Sequence, residues 1–307
     1  MEGVLLLNKP KGMTSHDCVF KLRKLLKEKR IGHTGTLDPD VTGVLPICIG
    51  RATKIAQFLT SEVKTYEGEV TIGWSTTTED SSGEMVEQRN VDRVITRSEI
   101  QAVLQEMTGT IKQMPPMFSA VKVNGKKLYE YARQGIEVER PVRTITIHSF
   151  NLLDDRDVFE GTSISFRFQV TCSKGTYVRT LAVMIGEKLG YPAHMSDLIR
   201  TASGKFTLEQ CVTLEQVEEE VRQGKMQGML QSIDEALATF SKLVVDEETA
   251  EKVKNGGFLP RPSIFMDKYI MIFNKNNQCL AIYEPHPTKV SLLKPTKVLV
   301  NNQELKL

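Results

Sequence analysis

The chain has 307 residues, 40% of them hydrophobic, and a formal net charge of +2. That length supports one large folded domain with a smaller one beside it. Its five dispersed cysteines (Cys18, Cys48, Cys172, Cys211 and Cys279) form no C-x-x-C pair and no Cys/His cluster. This excludes a disulfide scaffold and a zinc module, and it fits reduced thiols in a cytoplasmic protein.

Taken in chain order, residues 4–8 read as a short strand, an apolar run too brief for a signal peptide or a membrane span. The spacing of Val19, Leu22, Leu25 and Leu26 predicts a helix over 15–29, with Ser15 as its N-cap. A second helix is expected at 53–59 and a strand at 64–73. A further helix is expected over 97–107, with Ile100, Val103, Leu104 and Met107 on its apolar face. Pro115 and Pro116 break the pattern and open an arm, 114–148, rich in Lys, Gly and Tyr. Ile164, Phe166, Phe168 and Val170 alternate as in a strand, and 176–189 returns to helical spacing. From about residue 240 come strand-like runs at 269–273, 279–283 and 297–300. The expected fold is therefore α+β: a mostly antiparallel mixed sheet with flanking helices over 1–239, then a small β-rich domain over 240–307.

Charge is unevenly spread. Residues 1–60 hold ten Lys/Arg against five Asp/Glu, and 110–150 hold seven against three, whereas 205–250 hold four against ten. Any one such patch suits a solvated face, but basic regions beside an acidic one also suit a surface that grips phosphates.

Residues 32–46 carry the sharpest signal. Asp38 lies among small, hydroxylated and turn-forming residues and directly precedes Pro39, which disfavours a helical conformation for it. By itself the segment also suits a surface turn in which Asp38 bonds its own backbone. However, Gly32-His33-Thr34-Gly35-Thr36-Leu37-Asp38-Pro39 resembles the catalytic motif of the TruB family of pseudouridine synthases. The family's other blocks follow in order. Asn8-Lys9-Pro10-Lys11-Gly12-Met13-Thr14-Ser15 resembles its opening block, and Lys64-Thr65-Tyr66 its K-x-Y strand. Gly73, Thr76, Thr78, Asp80 and Gly83 match its G-x-x-T-x-T-x-D-x-x-G run. Gln113-Met114-Pro115-Pro116-Met117-Phe118-Ser119-Ala120 matches its Q-x-P-P block, and Ser173-Lys174-Gly175-Thr176-Tyr177-Val178-Arg179 its arginine motif. Two blocks depart from the pattern. Met184 stands where the family commonly has aspartate, and the common L-R-R-T run reads Leu198-Ile199-Arg200-Thr201.

The resemblance implies a cofactor-free, metal-free isomerase that converts uridine to pseudouridine in the T-loop of tRNA, at position 55. It implies that Asp38 is the nucleophile or the stabiliser of the developing sugar cation, with Arg179 as its charged partner. A guanidinium there is expected to lower the pKa of Asp38. Tyr66 would stack on the flipped base and move a proton, Tyr177 would line the pocket, Leu198 would wall the uracil, and His33 would help to place the target. Outside this context Arg179 reads as a surface salt bridge, Tyr66 as a half-buried strand residue and Leu198 as core. The 114–148 arm is then an RNA clamp using Lys122, Lys126, Lys127, Arg133, Arg140 and Arg143, and 240–307 a PUA-like RNA-binding domain. Neither guide RNA nor an obligatory protein partner is expected. Two other classes stay open: an RNA-binding protein that has lost catalysis, and a guide-dependent pseudouridylase acting inside a complex.

Overall fold

The apolar run at the N-terminus becomes β1 (Gly3–Lys9), buried on both faces. Successive side chains of a strand point to opposite sides. Leu5 and Leu7 accordingly enter one hydrophobic core, while Val4 and Leu6 enter a second. These positions come from a computed structural model that describes residues 1–263, 265 and 267–300. Residues 301–307, the end of the expected C-terminal domain, lie outside the described residues.

Helix α1 (Ser15–Leu26) is capped one residue earlier than expected. The Thr14 hydroxyl accepts from the Asp17 N–H, and the Asp17 carboxylate accepts from the Thr14 N–H, forming a capping box. Ser15 is instead buried in the first turn, where its hydroxyl bonds Leu37. The helix stops at Leu26 because Lys27 turns left-handed at φ 51°. The helix expected at 53–59 is a 3₁₀ turn, Gly50–Ile55, running into a short helix, Ala56–Thr60.

The main sheet is built from β1, β2 (Ile31–His33), β3 (Thr42–Ile49), β4 (Lys64–Ile72), β5 (Gly109–Gln113), β6 (Arg143–Leu152), β7 (Ile164–Cys172), β8 (Ala193–Ser203) and β9 (Phe206–Thr207). Its order is β1-β3-β8-β4-β7-β6-β5, with β2 paired to β3 and β9 to β8. Every pairing is antiparallel except β8 with β3, a parallel contact at Ile199–Thr42 and Arg200–Gly43. Helices α2 (Arg97–Glu106) and α3 (Val178–Leu189) bury Ile100, Leu104, Leu181 and Ile185 against the core that takes Leu5 and Leu7. The architecture is thus the expected α+β sheet with flanking helices. Met184 packs its thioether against that same core, an apolar use of the position where aspartate is common.

Tyr66 lies on central strand β4, opposite Val170 on one side and Arg200 on the other. Two residues on, Gly68 makes room for Leu198: a Cβ there would sit 2.9 Å from the Leu198 side chain and 2.7 Å from the Phe168 ring. Between β5 and β6 the chain leaves the sheet as the arm. It contains a hairpin of Lys122–Val123 with Lys126–Lys127, then a short helix, Leu128–Ala132. The arm is shorter than expected, because Arg143–Leu152 is strand β6, with Ile145, Ile147 and Phe150 buried.

A second sheet has the order β10 (Ser241–Val244), β12 (Ile270–Phe273), β13 (Cys279–Pro285), β14 (Leu292–Val298) and β11 (Leu259–Pro260). Its Met271, Phe273 and Ile282 close the second core over Val4, Leu6, Val44 and Cys48. A helix, α4 (Glu247–Lys254), covers its other side through Ala250 and Val253. Among the described residues no helix is long and apolar enough to cross a membrane.

Candidate active site

The loop from Thr34 to Val41, between β2 and β3, carries Asp38 and is tied down from beneath. Lys9, at the end of β1, is fully buried, and its ammonium donates to the carbonyls of Pro10, Met13 and Pro39. The Gly12 N–H also donates to Pro39, and the Ser15 hydroxyl accepts from the Leu37 N–H. Backbone on both sides of Asp38 is therefore fixed, and a carbonyl-bonded ammonium does this without neutralising the carboxylate. Burial pushes the Lys9 pKa down, while Asp40 and Asp38 act against the shift.

Arg179 enters from the first turn of α3, nearly enclosed by protein. Its Nε lies 2.9 Å from Asp38 Oδ2, its Nη1 donates to the Thr78 carbonyl at 2.8 Å, and its Nη2 to the Phe118 carbonyl at 3.0 Å. The same Nε is 3.7 Å from Asp80 Oδ2. Asp80 is itself held by the Thr78 and Ser82 hydroxyls and the Ser82 N–H. A planar fork bonded on three sides is oriented as a lysine could not be.

Asp38 does not titrate in the expected direction. Burial pushes its carboxyl above the usual carboxylate range, Arg179 opposes that, and the neighbouring Asp80 adds to it. The side chain keeps 41% of its surface and lines a cavity. The cost of holding a charge in this recess exceeds the gain from one guanidinium.

The cavity has a volume of about 500 Å³. Asp38, Tyr66, Tyr177, Arg179 and Leu198 all line it, as do Phe118, Ser119 and Tyr129 from the arm. Burial raises the Tyr66 pKa, so its hydroxyl stays protonated. Tyr177 is fixed through its backbone, whose N–H and carbonyl both bond the Gln113 amide. His33 is not among the lining residues. It ends β2 and accepts the Gly35 N–H at 3.3 Å, with its pKa lowered first by burial and then by Arg200. Among the described residues no grouping of His, Cys, Asp and Glu is arranged to hold a metal ion.

The resemblance placed Lys9, with Pro10 and Gly12, in a loop beneath the site, with packing as its role, but it gave no site role to Asp80, Gln113 or Arg200, although each lies in a block quoted above. The signal was positional: each is a polar residue inside a motif whose role had gone to a neighbour. The arm's basic residues are divided. Lys126 and Lys127 reach Gln134 and the Tyr129 hydroxyl, Arg140 donates to the Pro115 carbonyl, and Arg143 begins β6.

A carboxylate fixed beside a guanidinium, facing a tyrosine and a leucine across a base-sized recess, is equipped to act on a nucleotide's glycosidic bond. Comparisons with known proteins supply the family. Residues 23–178 match the family described as TruB family pseudouridylate synthase (N terminal domain), and 179–238 match the tRNA pseudouridylate synthase B C-terminal domain. The chain is 74% identical over 307 residues, all of both chains, to a Bacillus cereus protein named tRNA pseudouridine synthase B. It is 59% identical to the protein of that name from Geobacillus thermodenitrificans, covering 97% of this chain and 99% of the relative. Its fold superposes with a TM-score of 0.74 on a chain of a Cbf5-Nop10-Gar1 complex at 27% identity, over 98% of this chain and 86% of that one. With its sheet, its cavity and its sequence all in agreement, the chain belongs to the TruB family and is a pseudouridine synthase.

Proposed function

We propose that this enzyme converts uridine to pseudouridine in the T-loop of tRNA, at position 55, after flipping the target out of the stack. The observation that carries the reading is Asp38, paired with buried Arg179 on the wall of a cavity that Tyr66 and Leu198 also line. An enzyme that alters a base within folded RNA must first extrude it, and a recess walled by tyrosine and leucine suits a flat ring. The relatives' name supplies the tRNA substrate.

In this reading the C1′–N1 bond breaks and its electron pair leaves with N1. Asp38 takes or offsets the positive charge that develops on the sugar, and Arg179 holds it in position. The uracil turns in the recess, C5 bonds to C1′, the C5 proton is lost and N1 gains one. The sum is an isomerisation that consumes no redox equivalent and no water. Tyr66, kept protonated by burial, stacks on the base and can donate to it.

We read residues 1–239 as the catalytic domain and 240–307 as a small PUA-like RNA-binding domain. The arm between β5 and β6 supplies a phosphate clamp whose tip carries Lys122, Lys126, Lys127 and Arg133. The enzyme works in the cytoplasm without guide RNA. Purified protein with unmodified tRNA, and no other addition, tests the whole reading. Pseudouridine at position 55 is the expected product. Product only after addition of a guide RNA or a second protein would place the chain with the guide-dependent enzymes.

A further inference from the structure

Arg200 is the least compensated charge near the cavity. It is 1% exposed, yet its only hydrogen-bond acceptors among backbone carbonyls of the described residues are Val44, 2.7 Å from Nε, and Gly35, 3.4 Å from Nη2. Among the described residues no carboxylate lies within 4.0 Å of it, whereas Arg179 faces two. A guanidinium cannot shed its proton to escape burial, so an isolated one is retained at a cost.

The fold holds it there. Arg200 lies directly across from Tyr66, and the strand bulges immediately after it, between Arg200 and Ala202. On its other side Gly43, at φ 106°, brings β3 so close that a Cβ would sit 2.2 Å from the Arg200 carbonyl. The side chain lines the cavity beside Tyr66 and Leu198.

Groups from every neighbouring element face it. Lys64 on β4 is pushed down to about 8 by burial and then by Arg200. His33, at the end of β2, is lowered in the same way. Burial raises Tyr66, and the charge of Arg200, its cross-strand neighbour, works against that rise, while Cys172 and Asp38 add to it. Cys211 is pushed up to about 12 by burial, with Arg200 opposing. Two further polar groups on the cavity wall, the hydroxyls of Thr34 and Ser119, are buried without a partner. The recess therefore carries unused hydroxyls as well as the charge of Arg200, which no carboxylate among the described residues pairs. In the reaction proposed above, the group that acquires negative charge is the uracil once the electron pair of the C1′–N1 bond has moved onto it.

We propose that Arg200 is a positioning residue for this reaction: it holds the Tyr66 hydroxyl toward the base and sets an uncompensated positive charge beneath the departing uracil. The proposal rests on the reading of Tyr66 given above. A double-mutant cycle on the full chain tests it, using Arg200→Gln, Arg200→Lys and Tyr66→Phe. The readout is single-turnover pseudouridine formation on unmodified tRNA, normalised to the fraction of protein that binds tRNA. Normalisation separates lost rate from lost fold. Arg200→Gln is expected to slow the step by about a hundredfold, the range of a lost charge-stabilising donor. Arg200→Lys should recover part of that loss, because the charge returns without the fork. In the Tyr66→Phe background the same Arg200→Gln change should cost less, since the part of the loss that runs through the hydroxyl is gone while the part due to the charge remains. Equal losses in both backgrounds, or an Arg200→Gln rate equal to the parent's per tRNA-binding molecule, would overturn the proposal. Tyr66→Phe at full rate would instead refute the proton-moving role of Tyr66, and the hydroxyl contact proposed here with it. A slowed Tyr66→Phe beside an unslowed Arg200→Gln would sink the Arg200 assignment alone.

Discussion

Arg179 meets Asp38 through Nε at 2.9 Å while both of its Nη atoms donate to backbone carbonyls. The pair is therefore not a loose surface contact, in which two long side chains find one another against water. One partner is immobilised by the protein, and the other stands on a loop tied to β1 and α1. Most of the ordering has been done before substrate arrives, which is what a charged group needs if it is to act without reorganising.

Asp38→Asn should abolish turnover while leaving tRNA affinity within about tenfold, or roughly 1.4 kcal/mol. Asparagine keeps the size and part of the hydrogen bonding but loses the charge and the nucleophile. Appreciable pseudouridine under single-turnover conditions would remove Asp38 from the chemistry.

Arg179→Lys should recover little of the rate lost in Arg179→Ala, because an ammonium cannot reach Asp38, Thr78 and Phe118 in the geometry of the fork. The alanine variant should also melt earlier. It leaves two carbonyls without their donor, each worth about 1–3 kcal/mol if water cannot replace it. A lysine variant with near-normal single-turnover rate would argue against an oriented pair.

The acid limb of the single-turnover pH profile should lie above the usual carboxylate range, since burial raises Asp38. As pH falls through that raised value the carboxylate is protonated and the rate declines. Asp80→Asn removes a like charge and should move the limb to lower pH, whereas losing Arg179 should move it higher. A limb that stays in place in Asp80→Asn would mean that it reports another group.

Lys9→Met should destabilise the protein by on the order of 3 kcal/mol, because three carbonyl acceptors lose a buried charged donor. Activity should fall even in the fraction that remains folded, through the freed backbone at Pro39. Thermal melting and single-turnover rate, measured together, check both parts. Normal activity per folded molecule would show that the tie stabilises the loop without placing Asp38.

Neutralising Lys122, Lys126 and Lys127 together should weaken tRNA binding at moderate salt and flatten its salt dependence. The slope should shrink by up to about 0.7–0.9 for each phosphate that is no longer neutralised. The step at saturating tRNA should change little, since such side chains position substrate and do not reach the reacting base. An unchanged slope would remove the arm from the phosphate-binding surface.

Much of this site could be read from its motifs, because Asp38, Tyr66, Tyr177, Arg179 and Leu198 each sit in a block of characteristic composition, and all five line one cavity. Residues whose role depends on distant partners were harder to read. A lysine is ordinarily placed at the surface, and nothing local to Lys9 announces that Pro39 will come within reach. Adjacent hydroxyls at Thr14 and Ser15 are equally good caps on paper; Leu37, far along the chain, claims Ser15 and leaves the cap to Thr14. The titration of Asp38 runs opposite to expectation for the same reason. Arg179 is visible in the sequence as a partner, whereas the enclosing walls and Asp80 exist only once the sheet is assembled. The 143–148 stretch resembles the arm because its charge is local, while its pairing with Gly109–Gln113 is not.

Strand β1 has no face left for water, since its even and odd residues are shared between two cores. A strand used twice couples the stability of the two bodies it joins. Melting the C-terminal sheet would strip Val4 and Leu6 of their cover, and loosening the catalytic core would do the same to Leu5 and Leu7. Neither body can open without weakening the other, so heat should unfold them in a single cooperative transition. By the same linkage, a cavity cut at Met271 beneath the far sheet would be felt along β1 as far as Lys9, the residue that ties down the loop of Asp38.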